Sequence, residues 1–368
     1  MATTESSLPS SDAKRQDIIP KSNYDWLLDT VIDGGYLPIP VLRMGIRRQF
    51  DARAAEIGST SVAAARDRKM KFIEELRSRE MAIATKTANQ QHYEVTTPIM
   101  AAALGPRMKY SGCLFTNGDE TLAQAEINMM RRYIVNGGFK DGMSILDLGC
   151  GWGSATLYFA EVFPNSKIVG FSNSKTQKEY IDGKAKEKGL KNIKVLTGDV
   201  VTFEFQPEAY DRILTVEMLE HMKNYDLLMA KIAGALKPDG KFYIHIFGHK
   251  DTPYHFEEGW MTTHFFTGGT MPSQDLLLYF QKNLVIEKQW WIDGHHYNKT
   301  AEAWLSNWRV NKKNVWPHLE ETYGKENTAT WFNRWTVYYL AIAEMFKYGG
   351  GESYGIIHML FQKRQISS

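Results

Sequence analysis

The 368-residue chain is long enough for one large domain or two moderate ones. Its formal net charge of +2, with no basic stripe, argues against nucleic acid and an acidic membrane surface as partners. Two cysteines, Cys113 and Cys150, exclude a disulfide framework and a cysteine-based zinc site. No apolar run approaches the about 18 residues of a membrane span. The Ser/Thr-rich start, Met1 to Ser11, lacks the charged and apolar regions of a secretory signal, so the expected location is cytoplasmic.

In chain order, residues 1–20 read as a disordered tail. Residues 21–120 form an N-terminal helical region: helix formers run from Asn23 to Gln91, with apolar residues at helical spacing at Val41, Met44 and Ile46, then at Met70, Ile73 and Leu76. This region is expected to serve as a lid over a ligand or as a homodimer surface. The pattern breaks at Tyr93 to Pro98 and again at Tyr110 to Phe115. Residues 121–250 read as an α/β core with strands at Ile145 to Leu148, Lys167 to Phe171, Ile193 to Leu196, Tyr210 to Val216 and Lys241 to Phe247, the last after a turn at Leu236 to Gly240. Beyond it, residues 251–368 hold two aromatic, histidine-dotted segments (Tyr254 to Phe266, Trp290 to Tyr297). Helices near Thr300 to Val310 and Asn327 to Phe346 follow, then a last strand at Ile356 to Gln362. The adjacent His295 and His296 have no third ligand at metal spacing, so they read as a polar loop and no metal is expected.

The strand at Ile145 runs into Asp147-Leu-Gly149-Cys-Gly151-Trp-Gly153 and then a helical pattern. Glycines at such a turn let the backbone bend sharply and approach a ligand. Their G-x-G-x-G spacing is not the dinucleotide fingerprint, G-x-G-x-x-G, which favours a cofactor without a pyrophosphate. D-x-G-x-G-x-G resembles motif I of the S-adenosylmethionine (SAM) methyltransferases. Where doubly wound folds place a ribose-binding acid, this chain carries Ser172, Asn173 and Gln177. Asp199, after the next strand, is suited to accept a hydrogen bond from an adenine amino group. The expected fold class is α/β: a Rossmann-like class I SAM-dependent methyltransferase sheet, with an N-terminal helical region and a helical, aromatic substrate-binding cap beyond residue 250.

Longer motifs narrow the resemblance. His92-Tyr-Glu-Val95, Tyr110-Ser111, Leu146 to Gly153, Ser172 to Gln177, Val216 to Tyr225, His264 to Ser273 and Leu276 to Gln281 are similar to the plant coclaurine N-methyltransferase family, which includes tetrahydroprotoberberine, pavine and phenylalkylamine N-methyltransferases. That family resembles the bacterial cyclopropane fatty acid synthases in turn. The resemblance implies a SAM site at Tyr110, Ser111, Gly149, Gly151, Asn173, Gln177, Asp199, Val200 and Val216, with S-adenosylhomocysteine (SAH) as product. It implies a small aromatic alkaloid-type amine as substrate, within plant specialised metabolism. It also places catalytic groups on Glu217, Glu220 and His221, and a pocket-lining carboxylate on Glu94 beside Tyr93. Phe256, Phe265, Trp335 and Tyr339 are the aromatic candidates for substrate contact, Tyr339 by analogy with a functional tyrosine of the cyclopropane synthases.

The chemistry fits these residue types. An alkyl amine has a pKa of about 10 and arrives mostly as ammonium, without a lone pair. Its site needs carboxylates to attract the cation and a group titrating near neutrality to take the proton. Glu217, Glu220 and His221 stand at i, i+3 and i+4, and would share one face if a helical turn followed the strand. The competing reading is methylation of a lipid alkene. Cyclopropane synthases carry a bicarbonate-binding cysteine after Tyr-Ser, where this chain has Gly112, and that difference favours the amine.

Overall fold

The computed structural model describes residues 30–82, 95–257, 259–266 and 268–364. The expected tail at 1–20 and the pair Tyr93 and Glu94 lie outside the described residues.

Seven strands form one sheet: β1 (Ser144–Leu148), β2 (Lys167–Ser172), β3 (Ile193–Thr197), β4 (Tyr210–Val216), β5 (Leu236–His249), β8 (Leu284–Asp293) and β9 (Tyr354–Lys363). Their order is β3-β2-β1-β4-β5-β9-β8, and a separate two-stranded ladder joins β6 (Tyr254–His255) to β7 (Thr270–Met271). The first five strands of the large sheet run parallel, while β9 lies antiparallel to both β5 and β8. The strand order reverses between β1 and β4. Such a switch point opens a crevice at the carboxyl ends of the strands, where open α/β sheets bind ligands. Two strands of this sheet come from beyond residue 250.

The alternation of side chains along β5 sorts two cores. Phe242, Ile244 and Ile246 pack with Ile73 and Leu76 of α2 (Val62–Ser78) and with Tyr225, Leu228 and Ile232 of α7 (Tyr225–Ala235). Tyr243 and Phe247 face the other way, toward Met129 and Tyr133 of α4 (Leu122–Gly137). Local chemistry sets the helix ends. Thr121 and Gln124 form a capping box at the start of α4, and Gly138 closes it in the left-handed conformation. The side chain of Asn224 caps α7 and also donates to the carbonyls of Arg77 and Arg79, tying the end of α2 to the sheet layer.

Three expectations need correction. The turn read at Leu236 to Gly240 belongs to β5: Tyr210 pairs with Leu236 and Arg212 with Lys241, so residues 237–240 bulge out of a continuing strand. The strand β8 is absent from the sequence reading, because its polar centre and the bulge between Ile286 and Lys288 break the alternation. His295 and His296 are not in a loop. They occupy the first turn of α9 (Gly294–Val310), which Asp293 caps.

The helix α1 (Ile39–Ile57) lies against α11 (Thr328–Lys347) through ion pairs. Glu344, only 2% exposed, receives Arg43 at 2.5 Å and Arg47 at 2.5 Å. Burial alone would raise the carboxyl's pKa, but the hydrogen bonds from Arg47 and Arg43 hold it below the usual range. A carboxylate with a depressed folded pKa stabilises the fold above its unfolded pKa, and loses that contribution as pH falls through the folded value. Replacing Glu344 with Gln is expected to cost about 1–3 kcal/mol, less than a fully buried pair because Arg47 is half exposed. It should also flatten the acid limb of stability. Urea midpoints of both proteins at neutral pH and below about pH 4 check this.

Candidate active site

The turn after β1 carries three glycines in the left-handed region, Gly149 (φ 82°), Gly151 (φ 51°) and Gly153 (φ 77°). A Cβ on Gly149 would stand 2.8 Å from Met218 and one on Gly153 2.5 Å from Ile181, whereas one on Gly151 would meet nothing within 4 Å. Gly151 therefore presents bare backbone to open space. That space is a cavity of about 1690 Å³ at the sheet's switch point. Pockets that hold one drug-sized ligand measure roughly 300–1,000 Å³, so this one has room for a cofactor and a substrate together.

The floor of the cavity includes Lys109, Tyr110, Ser111, Asp147, Gly149, Gly151, Gln177, Val216, Glu217 and His221. Its walls and roof come from α1 (Val41, Met44, Phe50), from Phe256 and Phe266, from Trp260 in α8 (Trp260–His264), and from Val337, Tyr338 and Ile342 of α11. Val41 and Met44 look like exposed apolar residues on a helix, at 40% and 50% exposure. They face the cavity, which accounts for their composition.

Glu217 ends β4 with φ 47°, a left-handed conformation that a non-glycine residue seldom adopts. The bend brings its side chain, 8% exposed, into a nest of donors. Its Oε1 accepts from the Gly112 backbone N–H at 3.0 Å and lies 3.0 Å from His245 Nε2, while its Oε2 accepts from the Tyr297 hydroxyl at 2.7 Å. Burial raises its pKa above the usual carboxylate range, and Lys109, Gly112 and Tyr297 limit the rise. Glu220 is fully buried, with Oε1 accepting from the Phe247 N–H at 3.0 Å. Burial and the neighbouring Glu217 push its pKa up strongly, favouring the protonated form. His221 stacks on Phe266 with ring centroids 4.5 Å apart.

The three residues do not share a helical face as expected. The left-handed Glu217 interrupts the chain, and only a 3₁₀ turn, Leu219–His221, follows. Glu217 and His221 line the cavity, whereas Glu220 turns to the β5 backbone and does not.

Of the residues expected at the cofactor, Tyr110, Ser111, Gly149, Gly151, Gln177 and Val216 line the cavity. Asn173, Asp199 and Val200 do not; they follow β2 and β3 on the same edge of the sheet, where Asp199 accepts from the Val201 N–H at 2.9 Å. Ser172 donates to Gln177 at 2.6 Å, so the neutral pair is internally bonded. Among the aromatic candidates Phe256 lines the cavity. Phe265, Trp335 and Tyr339 do not line it: all are at most 2% exposed and pack behind Tyr338, against which Phe265 stacks at 4.5 Å. Tyr338, one residue before Tyr339, is the lining tyrosine, accepting the Tyr110 hydroxyl at 2.6 Å. Sequence reasoning missed Lys109, Tyr297, Tyr338 and His245, whose signals, a lysine before Tyr-Ser and a histidine in an apolar strand, each fit an ordinary core.

The sequence and the fold have known counterparts. The family profile described as mycolic acid cyclopropane synthetase matches residues 81–354. (S)-coclaurine N-methyltransferase from Thalictrum flavum subsp. glaucum is 38% identical over 78% of this chain and 82% of its own length. The counterpart from Papaver somniferum is 36% identical over 80% and 85%. The chain belongs to the coclaurine N-methyltransferase family. A crystal structure of coclaurine N-methyltransferase bound to N-methylheliamine and SAH superposes with a TM-score of 0.89 at 32% identity, covering 92% of this chain and 99% of that one. A cyclopropane synthase from Mycobacterium tuberculosis shares the fold, with a TM-score of 0.66 at 20% identity over 77% of this chain and all of that one.

The enzyme is therefore a SAM-dependent N-methyltransferase, and lipid cyclopropanation is only a distant relation. The glycine turn fits the cofactor. Only a residue without a side chain leaves the cavity open at Gly151. Gly151→Val, which adds a β-branched side chain at a left-handed φ and fills this space, is expected to weaken SAM binding by more than tenfold. Calorimetry on a folded variant, checked by circular dichroism, measures it.

Proposed function

We propose that this enzyme methylates the nitrogen of a small aromatic amine of the benzylisoquinoline or phenylalkylamine type, with Glu217 as the charge that receives the ammonium and Glu217 and His221 as the proton acceptors. The observation that carries this reading is the position of Glu217, a buried carboxylate at the junction of the glycine turn and the aromatic roof. A neutral alkene offers that charge nothing.

Bound SAM supplies an electrophilic methyl group on a sulfonium centre. The remaining work falls to the chain. Tyr110, Ser111, Gly149, Gly151, Gln177 and Val216 hold the donor in the floor of the cavity, with Asn173, Asp199 and Val200 at the strand ends beyond. Phe256, Phe266, Trp260 and Tyr338 enclose the substrate ring and exclude water; their faces favour a cation as well as an aromatic surface. Glu217 and His221 remove the amine proton, which frees the lone pair. Holding nitrogen and methyl at near-attack distance then provides the largest part of the acceleration. A carboxylate whose burial has raised its pKa suits this task, since it is a stronger base than an exposed one.

A panel of phenylalkylamines and benzylisoquinolines incubated with isotopically labelled SAM, with mass detection of product, tests the substrate class. Unsaturated phospholipid serves as the opposing arm, and transfer to lipid with no transfer to amine would refute the proposal. Glu217→Gln keeps shape and removes charge. It is expected to lower amine affinity about tenfold or more while leaving SAM affinity unchanged, since a buried charge-assisted contact contributes about 1.5–3 kcal/mol.

His221→Ala is expected to lower kcat by about 10²–10⁴-fold near neutrality, in the range of a lost general base. The loss should shrink as pH rises, because more amine then arrives unprotonated. In the wild-type enzyme the rising limb of kcat against pH belongs to Glu217, Glu220 and His221 jointly. A pH-independent loss in the variant would assign His221 to packing against Phe266.

A further inference from the structure

Part of the cofactor floor is a loop. Residues 105–114 hold no helix or strand, yet Met108, Lys109, Tyr110 and Ser111 from this segment line the cavity. Such a segment must find its backbone partners one at a time. The turn Gly105-Pro106-Arg107-Met108 closes with the Met108 N–H on the Gly105 carbonyl at 2.9 Å. Met108 takes φ 53°, a left-handed value uncommon for a residue with a side chain. The N–H groups on either side of Met108 converge, forming the kind of backbone concavity that receives anions. Glu126 of α4 fills it: its Oε2 accepts from the Arg107 N–H at 3.1 Å and its Oε1 from the Lys109 N–H at 3.2 Å. The glutamate is fully buried, and Gly105 makes room for it, since a Cβ there would stand 2.5 Å from Oε1. The two nearby cations are engaged elsewhere. The Arg107 guanidinium donates to Glu161 at 2.7 Å, and the Lys109 ammonium donates to the Ser111 hydroxyl and to the Gly112 carbonyl, the latter at 2.9 Å.

We propose that Glu126 is a positioning residue for the cofactor: in its ionised form it holds the left-handed turn at Met108, and so places Tyr110 and Ser111 where they meet SAM. The inference rests on those two residues holding the cofactor, as proposed above. A carboxylate accepts from both N–H groups at once, whereas a carboxylic acid carries a hydrogen on one oxygen and weakens the backbone bond made there. Burial pushes the Glu126 carboxyl up to about 7, against the hydrogen bonds and charges of Arg107 and Lys109. The form that holds the loop is therefore lost as pH falls through neutrality. Stability runs the opposite way. A carboxyl whose folded pKa lies above its unfolded value of about 4.3 stabilises the fold most below that unfolded value, and loses the contribution as pH rises through the folded one. Acid thus firms the fold at Glu126 while loosening the cofactor loop, a split that a purely structural glutamate would not show. The other groups facing Glu126 are Arg107, Lys109, Cys113 and, from α6 (Lys175–Glu187), Tyr180. Burial raises the Cys113 thiol to about 12 and the Tyr180 phenol above its ordinary value, so both stay neutral. Asp147 and Glu217, which face Lys109 in turn, are also raised by burial, so the part played by Glu126 is the difference between variant and wild type.

Equilibrium binding of SAM to the full-length enzyme, measured by calorimetry without amine, tests this. Glu126→Gln is a permanent counterpart of the protonated form. It is expected to bind SAM about tenfold more weakly than wild type near pH 8, in line with a lost hydrogen bond to a charged group. Near pH 5.5, where the wild-type carboxyl is itself protonated, the two should agree within about twofold. Urea midpoints should show the variant at least as stable as wild type near pH 8. Glu126→Asp keeps the charge on a shorter arm, and should recover part of the affinity near pH 8 together with its dependence on pH. Wild-type affinity in Glu126→Gln near pH 8, a loss of equal size at every pH, or a variant that loses stability along with affinity overturns the positioning role. Ser111→Ala tells this failure from that of the reading beneath it. Unchanged SAM affinity in Ser111→Ala removes the loop from the cofactor site, and the inference with it; weakened binding there, beside an unaffected Glu126→Gln, overturns the role of Glu126 alone.

Discussion

The site depends on a single carboxylate that is taken out of water and nonetheless kept available. A buried carboxylate survives only with donors around it, and each of those around Glu217 comes from a different part of the chain: Gly112 from the segment before α4, His245 from β5 and Tyr297 from α9. Their convergence requires the left-handed turn at the end of β4. It also requires the sheet to continue past β5 and the helical cap to close over it. Removing any one of these supports would leave a desolvated charge with less compensation.

The same arrangement bears on the relation to cyclopropane synthases. Gly112 stands where the pattern of those enzymes carries a cysteine. Here a Cβ at Gly112 would stand 2.4 Å from Ile356 and 3.0 Å from the ring of Tyr297, so a larger residue enters only if the core shifts. The Gly112 N–H is instead bonded to the enzyme's own Glu217.

Much of this was legible in the residues because it is local. Strand, glycine turn and helix at Ile145 to Glu161 follow from backbone freedom and periodicity, and the strands at Lys167, Ile193 and Tyr210 have the apolar runs of a parallel sheet. What escaped was long-range. Whether Glu220 or Glu217 faces the cavity depends on one positive φ that no glycine announces. Tyr338 and Tyr339 are adjacent aromatics on one helix, and only the angle at which α11 meets the cavity separates a wall from a core residue. His245 sits in a strand where an apolar residue would serve, and its partner His358 lies 113 positions away. No local pattern connects them.

That separation has a consequence for how the protein is made. The strand β8 touches the sheet only through β9, and β9 is inserted between β5 and β8. Until β9 arrives, β5 is a long apolar edge with unpaired backbone groups, and β8 has nowhere to dock. Pairing across so much intervening chain is slow, since the loop must close before any contact rewards it. A nascent or refolding molecule thus holds a formed cofactor crevice beside an open, sticky edge. The wall behind Glu217 is complete only once β9 has paired, and the interval before that exposes the chain to aggregation.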